Sequence, residues 1–429
     1  MADDLGAQIL AAAVAAIGGE PRPGQTEMAE AVRDAFDTEK HLLVQAGTGT
    51  GKSLGYLAPA LARLADEPDS RVVIATATLA LQAQLANKDI PAAAAACEQV
   101  TGKALKHAVL GRSNYACLLR VREGQGTEQD ALVADPTTTS GVGAEVVALR
   151  AWAEEEAESG GVGDRADAPA HTPQAWAQIP VPVRDCLGAQ KCPQGASCLV
   201  EKSRQVARGA QLVVTNHALL AIDALHGGTA LPEYDVAIID EAHELASRVT
   251  GAASVELSPS VVERVAKRAL TWLTDETGLD FLNAADTLQE GLDDAAVGRV
   301  TDPDTAVIAS VVAVRDAARK AVSGLGGGSD DDTDRRQAAG AVQEVFDIAE
   351  RMAKLSEHDV VWVSESDRFG RQANCAPLSV AGLLRDLVFA EHPAVLTSAT
   401  LKIGGSFDAV AACLGLGGAR AGWRGIDVG

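Results

Sequence analysis

The apolar positions of this chain follow two rhythms. Short unbroken runs recur at HLLVQ (41–45), RVVIAT (71–76), QLVVTN (211–216), DVAIID (235–240) and AVLTSAT (394–400). Unbroken apolar runs of strand length, set between helical patterns, predict a parallel sheet covered on both faces. Elsewhere apolar residues return at intervals of three and four. Ser258 followed by Pro259 marks a helix start, and Val262, Val265, Ala269 and Leu273 then share one face. Two long stretches interrupt the alternation. The first, about 103 to 208, holds cysteines and loop-like segments such as GVGDRADAPAHTP. The second, about 246 to 385, is expected to be mainly helical, with SGLGGGSDDDTD (323–334) as a flexible, charged hinge or loop within it.

Composition narrows the class. The chain has 429 residues, 47% of them hydrophobic and 22% charged, which suits a soluble protein of several folding units. Aromatics are 3%, so helices packed through small side chains are expected. The N-terminus carries an apolar stretch, but Asp3 and Asp4 stand where a signal peptide has basic residues. No stretch of about 20 residues is apolar enough to span a bilayer. A cytoplasmic location without a membrane partner is therefore expected.

The net charge of −22 argues, taken alone, against a nucleic-acid partner. Local fields matter more than the sum, however. Lys103, Lys106, Arg112, Arg120 and Arg122 form one basic island without a carboxylate. Arg184, Lys191, Lys202, Arg204 and Arg208 form a second against Asp185 and Glu201. Such islands suit a directed nucleic-acid path and a solvated helix face equally.

The chemistry begins after the first strand, in AGTGTGKS, Ala46 to Ser53. Gly47, Gly49 and Gly51 let the backbone curl so that amides point at phosphate oxygens, with Thr48 and Thr50 between them. Lys52 reaches the β- and γ-phosphates of ATP, and Ser53 places a hydroxyl on Mg²⁺. Ala46 replaces the usual first glycine, which is tolerable if its φ is negative. A second motif, Asp240-Glu241-Ala-His243, ends the DVAIID strand. Asp240 suits the Mg²⁺ shell, Glu241 suits orienting or deprotonating the attacking water, and His243 suits linking nucleotide state to neighbouring elements. Downstream, Ser398 and Thr400 of TSATL can hydrogen-bond those carboxylates and couple hydrolysis to movement. Upstream, Arg22 and Gln25 precede the first strand by the distance expected of an adenine clamp.

In this order, EPRPGQTEM, QAGTGTGKS, ATATLALQAQL, VVTNHALL, VAIIDEAHEL and VLTSATL resemble the superfamily 2 DNA helicases of the DinG/XPD group. GRSNYAC (111–117) and CPQGASC (192–198) resemble that group's iron–sulfur region. The resemblance runs from about residue 20 to the C-terminus and is weakest across 250–350. It implies an α/β fold, a RecA-like P-loop parallel sheet with an inserted iron–sulfur domain and an inserted mainly helical arch domain. The expected boundaries are 1–102, 209–247 and 386–429 for the motor domain, 103–208 for the iron–sulfur insert and 248–385 for the arch. It also implies ATP-driven 5′ to 3′ movement on single-stranded DNA and opening of forked duplexes, in repair or replication restart. Thr76, Thr78 and Gln82 sit where such helicases touch the DNA backbone, contacts that carry no sequence information. Arg112, Tyr115 and Arg120 flank a cysteine and are further DNA candidates, with Tyr115 placed either to stack on a base or to pack over the cluster.

Seven cysteines occur, at 97, 117, 186, 192, 198, 375 and 413. Disulfides are disfavoured in a cytosolic chain. Cys117, Cys186, Cys192 and Cys198 can supply four thiolates to a [4Fe–4S] cluster. Zinc, which usually takes tighter pairs, and unliganded thiols are the alternatives. Cys97, Cys375 and Cys413 read as small buried apolar residues.

The chain stops soon after TSATL, at GWRGIDVG. An arginine finger from a second RecA-like half, whose loss costs about 10³–10⁵ in rate, is not expected within it. An incomplete reading frame of a longer enzyme is therefore the expectation. The alternative is a nucleotide- and single-strand-binding module with little hydrolysis, and an RNA-directed activity stays open.

Overall fold

The computed structural model describes residues 4–47, 49–111, 114–123, 136–181, 186, 188–326, 333–366, 370–418 and 422–429. Thr48 and Arg112 lie outside the described residues, as does half of the expected hinge at 323–334. The chain divides into two compact units. Residues 1–181, 193–252 and 380–429 form the first, and residues 182–192 and 253–379 the second.

The first unit is built on β1 (His41–Gln45), β2 (Val72–Thr76), β3 (His107–Val109), β4 (Leu212–Asn216), β5 (Val236–Asp240), β10 (Ala394–Ser398) and β11 (Trp423–Asp427). They form one sheet in the order β11-β1-β10-β5-β2-β4-β3, with every neighbour parallel. The unbroken apolar runs have a direct cause here. Leu42, Val44, Val72, Ile74, Val236 and Ile238 enter one core, while Leu43, Val73, Ala75, Ala237, Ile239 and Leu396 enter a second on the opposite face. Successive side chains point to opposite faces of a strand, so a sheet with two cores needs apolar residues at every position.

Helices α1 (Leu5–Ala16), α2 (Pro23–Asp37) and α3 (Lys52–Asp66) supply the first core, along with the Ile90–Thr101 helix. Asp4, one of the acids that spoke against a signal peptide, caps α1 by accepting from Ala7 N–H and pairs with Arg33. Ala116, Leu118, Leu149, Trp176, Ile179 and Leu199 form a separate apolar cluster.

The second unit is mainly helical, as expected, but it also contains a sheet that the sequence reading did not give. Its helices Pro259–Ala269, Asp275–Asp293, Ala306–Leu325 and Thr333–Ala353 pack with a four-stranded antiparallel sheet. That sheet runs β6 (Val255–Leu257), β9 (Gly370–Pro377), β8 (Asp359–Ser366), β7 (Gly298–Val300). Alternation was the missed signal: Val361 and Val363 are buried on β8, as are Ala373 and Cys375 on β9. Ser258 does cap its helix, accepting from Val261 N–H at 3.4 Å. Among the described residues no helix is long and apolar enough to cross a membrane.

Candidate active site

The carboxyl ends of β1, β10 and β5 lie side by side, with Gln45 opposite Ser398 and Thr397 opposite Asp240. In open α/β sheets, ligands gather outside these ends. The loop after β1 carries Ala46 to Gly51, and α3 starts at Lys52. Gly49 and Gly51 adopt positive φ, 86° and 81°, while Ala46 stays outside the left-handed region. A Cβ at Gly49 would meet nothing within 4 Å, so space is open above the loop. Thr50 Oγ1 donates to Gly47 O at 2.9 Å, closing the turn, and Ala46 N–H donates to Ser398 O at 2.9 Å.

Lys52 Nζ donates to Glu241 Oε1 at 2.6 Å, across 189 residues of sequence. Asp240, buried at the end of β5, accepts from Tyr56 O–H at 3.2 Å and from Glu241 N–H at 3.0 Å. Glu241 holds φ at +53°, a costly conformation for a residue with a Cβ. Ser398 Oγ donates to Glu241 Oε2 at 3.1 Å and lies 2.7 Å from His243 Nδ1. A serine hydroxyl has one proton. With that proton on Glu241, Oγ accepts from His243, which places the imidazole proton on Nδ1. Thr400 is exposed, and its N–H donates to Ser398 Oγ at 3.4 Å rather than its hydroxyl meeting a carboxylate.

The two acids differ in charge preference. Burial raises the Asp240 pKa, which the nearby Lys52 ammonium opposes and the Glu241 carboxylate reinforces. Burial also works against the Glu241 carboxylate, but the hydrogen bond and charge of Lys52, with Ser398 and His243, outweigh it and hold its pKa low. Burial and the Asp240 charge drive the Tyr56 pKa upward, so the phenol stays a donor.

Tyr56 and His217 were not among the candidates from sequence. Tyr56 stands one helical turn after Lys52, so an i, i+4 reading of α3 would have found it. His217 directly follows β4 and meets the Asp240 carbonyl through Nε2 at 2.8 Å; burial lowers its pKa to about 4 and keeps it neutral. Gln25 is buried, and its Nε2 donates to Gly51 O at 2.9 Å, so its amide braces the phosphate loop. Arg22 is exposed at the start of α2.

The DNA candidates fare differently. Thr76 is fully buried, its hydroxyl donating to Thr78 O at 3.1 Å, and Gln82 is buried against Asn114. Tyr115 is 1% exposed, and its hydroxyl donates to Val109 O at 2.5 Å, so it packs rather than stacking on a base. In this structure all three side chains are buried. Thr78 is exposed and caps the Leu79–Gln84 helix. Arg120 donates to Pro180 O at 2.7 Å, and Arg122 pairs with Glu154 at 2.7 Å. Arg204 and Arg208 both lie against Glu201. The basic islands are thus partly neutralised within the fold.

Cys117, Cys186, Cys192 and Cys198 are half-buried and form no disulfide. Cys186 Sγ accepts from Gly188 N–H at 3.5 Å, and Cys198 precedes the Leu199–Arg208 helix without capping it through its side chain. Residues flanking Cys117 and Cys198, namely Ala116, Leu118 and Leu199, share one apolar cluster. Among the described residues, however, no three of His, Cys, Asp and Glu gather as a metal-holding group. Cys97 and Cys375 are buried as expected, whereas Cys413 is exposed.

Known proteins extend this picture. A DEAD/DEAH box helicase family model matches residues 22–116. The ATP-dependent helicase DinG of Mycobacterium tuberculosis (strain ATCC 25618 / H37Rv) is 43% identical over 443 aligned positions, covering 98% of this chain and 66% of that protein. The ATP-dependent DNA helicase YoaA of Escherichia coli K12 is 37% identical over 234 residues, covering 53% of this chain and 34% of the relative. The chain thus spans just under two thirds of the DinG relative's length. A solved structure described as truncated XPD shares the fold, with a TM-score of 0.50 at 13% identity, covering 93% of this chain and 98% of that one. With a parallel sheet ending in the Lys52–Glu241 site, and this likeness along nearly its whole length, the chain is a homologue of the DinG/YoaA ATP-dependent helicases.

Proposed function

We propose that this chain is the ATP-hydrolysing motor part of a DNA helicase that moves 5′ to 3′ along single-stranded DNA and opens forked duplexes, in repair or replication restart. The observation that carries the reading is the convergence of Lys52, Asp240 and Glu241 at the carboxyl edge of one sheet. Amides of Gly47, Thr48, Gly49, Thr50 and Gly51 receive the phosphates beside the α3 N-terminus. Lys52 meets the terminal phosphate, which requires its bond to Glu241 to open. Opening frees Glu241 to orient or deprotonate water. Ser53 and Asp240 would hold Mg²⁺. The donor set fits, because a buried carboxylate whose pKa is raised gains from a nearby cation. When bound, Mg²⁺ neutralises phosphate charge. Gln25 and Arg22 are assigned to the adenine end, and Ser398, Thr400 and His243 to coupling.

Cys117, Cys186, Cys192 and Cys198 are assigned to a [4Fe–4S] cluster. What supports this is four half-buried thiols with no disulfide among them, two of them beside one apolar cluster. The names of the relatives support DNA as the partner, and exposed Thr78 and the Arg120 region are the remaining contact candidates.

A second reading, a nucleotide- and strand-binding module with little hydrolysis, draws on one observation. Lys52 and Glu241 neutralise each other, so each must be released before it can act. ATP hydrolysis by this chain with and without single-stranded DNA separates the two. Robust strand-stimulated turnover defeats the binding-module reading. Lys52→Ala should abolish ATP binding, and unchanged nucleotide affinity in that variant would overturn the site itself.

A further inference from the structure

His217 opens the helix His217–Leu225, directly after β4. Asn216 fixes that start by accepting from Leu219 N–H at 2.9 Å. The imidazole is fully buried, and its Nε2 lies 2.8 Å from Asp240 O at the end of β5. β2 stands between β4 and β5, so this bond ties the exit of β4 to β5 across the end of a third strand. A carbonyl oxygen only accepts, so the ring carries its proton on Nε2 and donates it.

The carbonyl that His217 meets belongs to the peptide joining Asp240 to Glu241. The N–H of the same peptide donates to Asp240 Oδ1 at 3.0 Å. Both polar ends of the peptide are held, which fixes its plane. On the far side of Glu241, its own carbonyl accepts from Glu244 N–H at 3.0 Å. Glu241 therefore sits between two anchored peptides with its φ at +53°. Strained backbone of this kind persists only where the surroundings over-determine it. From that backbone the Glu241 carboxylate meets Lys52 at 2.6 Å and Ser398 at 3.1 Å.

We infer that His217 is a positioning residue for ATP hydrolysis: its N–H holds the Asp240–Glu241 peptide so that the Glu241 carboxylate is aimed at the attacking water. The inference rests on the proposed role of Glu241 toward that water. A buried histidine beside a strand end is ordinarily a packing residue. This one differs because its bond falls on the peptide that precedes the strained residue. Without the bond that peptide can turn, Glu241 relaxes toward negative φ, and its carboxylate leaves Lys52. A displacement of about 1 Å at such a group costs up to about 10²-fold in rate.

The test compares the parent chain with His217→Phe, which keeps a planar ring and removes the N–H, and with His217→Gln, whose amide N–H can replace Nε2–H. Crystal structures without nucleotide should show the positive φ of Glu241 and its bond to Lys52 in the parent and in His217→Gln, and neither in His217→Phe. In steady-state hydrolysis His217→Phe should lower kcat by about 10–100-fold. Its KM for ATP should stay level or fall, because Lys52 is released, and His217→Gln should recover most of the turnover. Should His217→Phe not fold, His217→Asn, whose shorter amide falls short of Asp240 O, takes its place with the same expectations. In a Glu241→Gln background the loss of the imidazole should slow turnover no further, since both changes remove one function. A parent chain without turnover defeats the proposed function, and the crystal structures then decide this inference alone. It is overturned by an unchanged Glu241 backbone and Lys52 contact in the variant lacking the N–H, by a loss confined to KM, by equal losses in His217→Phe and His217→Gln, or by a further loss in the Glu241→Gln background.

Discussion

Lys52 and Glu241 hold each other at 2.6 Å across the mouth of the site, each otherwise mostly buried. The ammonium that should meet a phosphate is thus engaged with the carboxylate that should meet water. Glu241→Gln removes the charge and keeps the shape. Freed from its partner, Lys52 should bind ATP more tightly, lowering the apparent dissociation constant several-fold. Turnover should fall by about 10²–10⁴, the usual worth of a general base. Nucleotide binding by fluorescence and steady-state hydrolysis measure the two halves. A variant that loses affinity and activity together would show that Glu241 serves only to position Lys52.

Asp240 has the opposite electrostatic character. Its pKa is raised in the fold chiefly by burial, so its contribution to stability is fully present below the unfolded carboxylate value and is lost as pH rises through the folded one. Asp240→Asn imitates the protonated acid permanently, and its amide can still serve Tyr56 and the Glu241 N–H in part. The variant should melt higher than the parent near neutral pH. The difference should shrink as the pH approaches about 4, where an ordinary aspartate is itself half protonated. Melting curves without nucleotide across that range check the sign. Mg²⁺-dependent nucleotide binding should be lost in the same variant.

The sheet was legible because burial on both faces writes itself into a sequence as unbroken apolar runs. β5 and β10 could be placed almost to the residue, and Lys52, Asp240 and Glu241 followed from strand-end motifs. β3 and β11 were not legible: β3 spans three residues, and β11 contains Arg424, Gly425 and Asp427. Tertiary pairing with β4 and β1, not local pattern, makes them strands. The antiparallel sheet of the second unit was missed although Val361 and Val363 alternate, because the long helices on either side dominate the pattern. The burial of Thr76, Gln82 and Tyr115 was not legible in the sequence. A polar residue after a strand reads as exposed until the helix and insert that cover it are known.

Gly51 tests the phosphate loop without touching a charge. It caps α3 at φ +81°, where a side chain is strained, and a Cβ there would lie 2.3 Å from Gln25 Nε2. Gly51→Ala should cost about 1–3 kcal/mol of stability through backbone strain. It should also displace the Gln25 amide from Gly51 O and so weaken nucleotide binding. Chemical denaturation and ATP titration would measure the two effects. A variant with parental stability would show that the loop relaxes into another conformation at little cost.

The cysteine assignment separates three outcomes that the fold alone leaves equal. On anaerobically purified protein, a [4Fe–4S] site predicts iron and sulfide in equal amounts and a brown visible absorbance. A structural zinc site predicts zinc without sulfide, and unliganded thiols predict neither metal. Cys192→Ser should remove the colour and bring iron and sulfide to background, since a serine oxygen is a poor replacement for a thiolate ligand. Cys413→Ser changes an exposed thiol outside the proposed set and should leave both unchanged. Colour and iron that persist in Cys192→Ser would refute that ligand. Loss of iron in Cys413→Ser as well would point to a cluster held by a different set of thiols, because exposed Cys413 has no packing role through which its hydroxyl replacement could act indirectly.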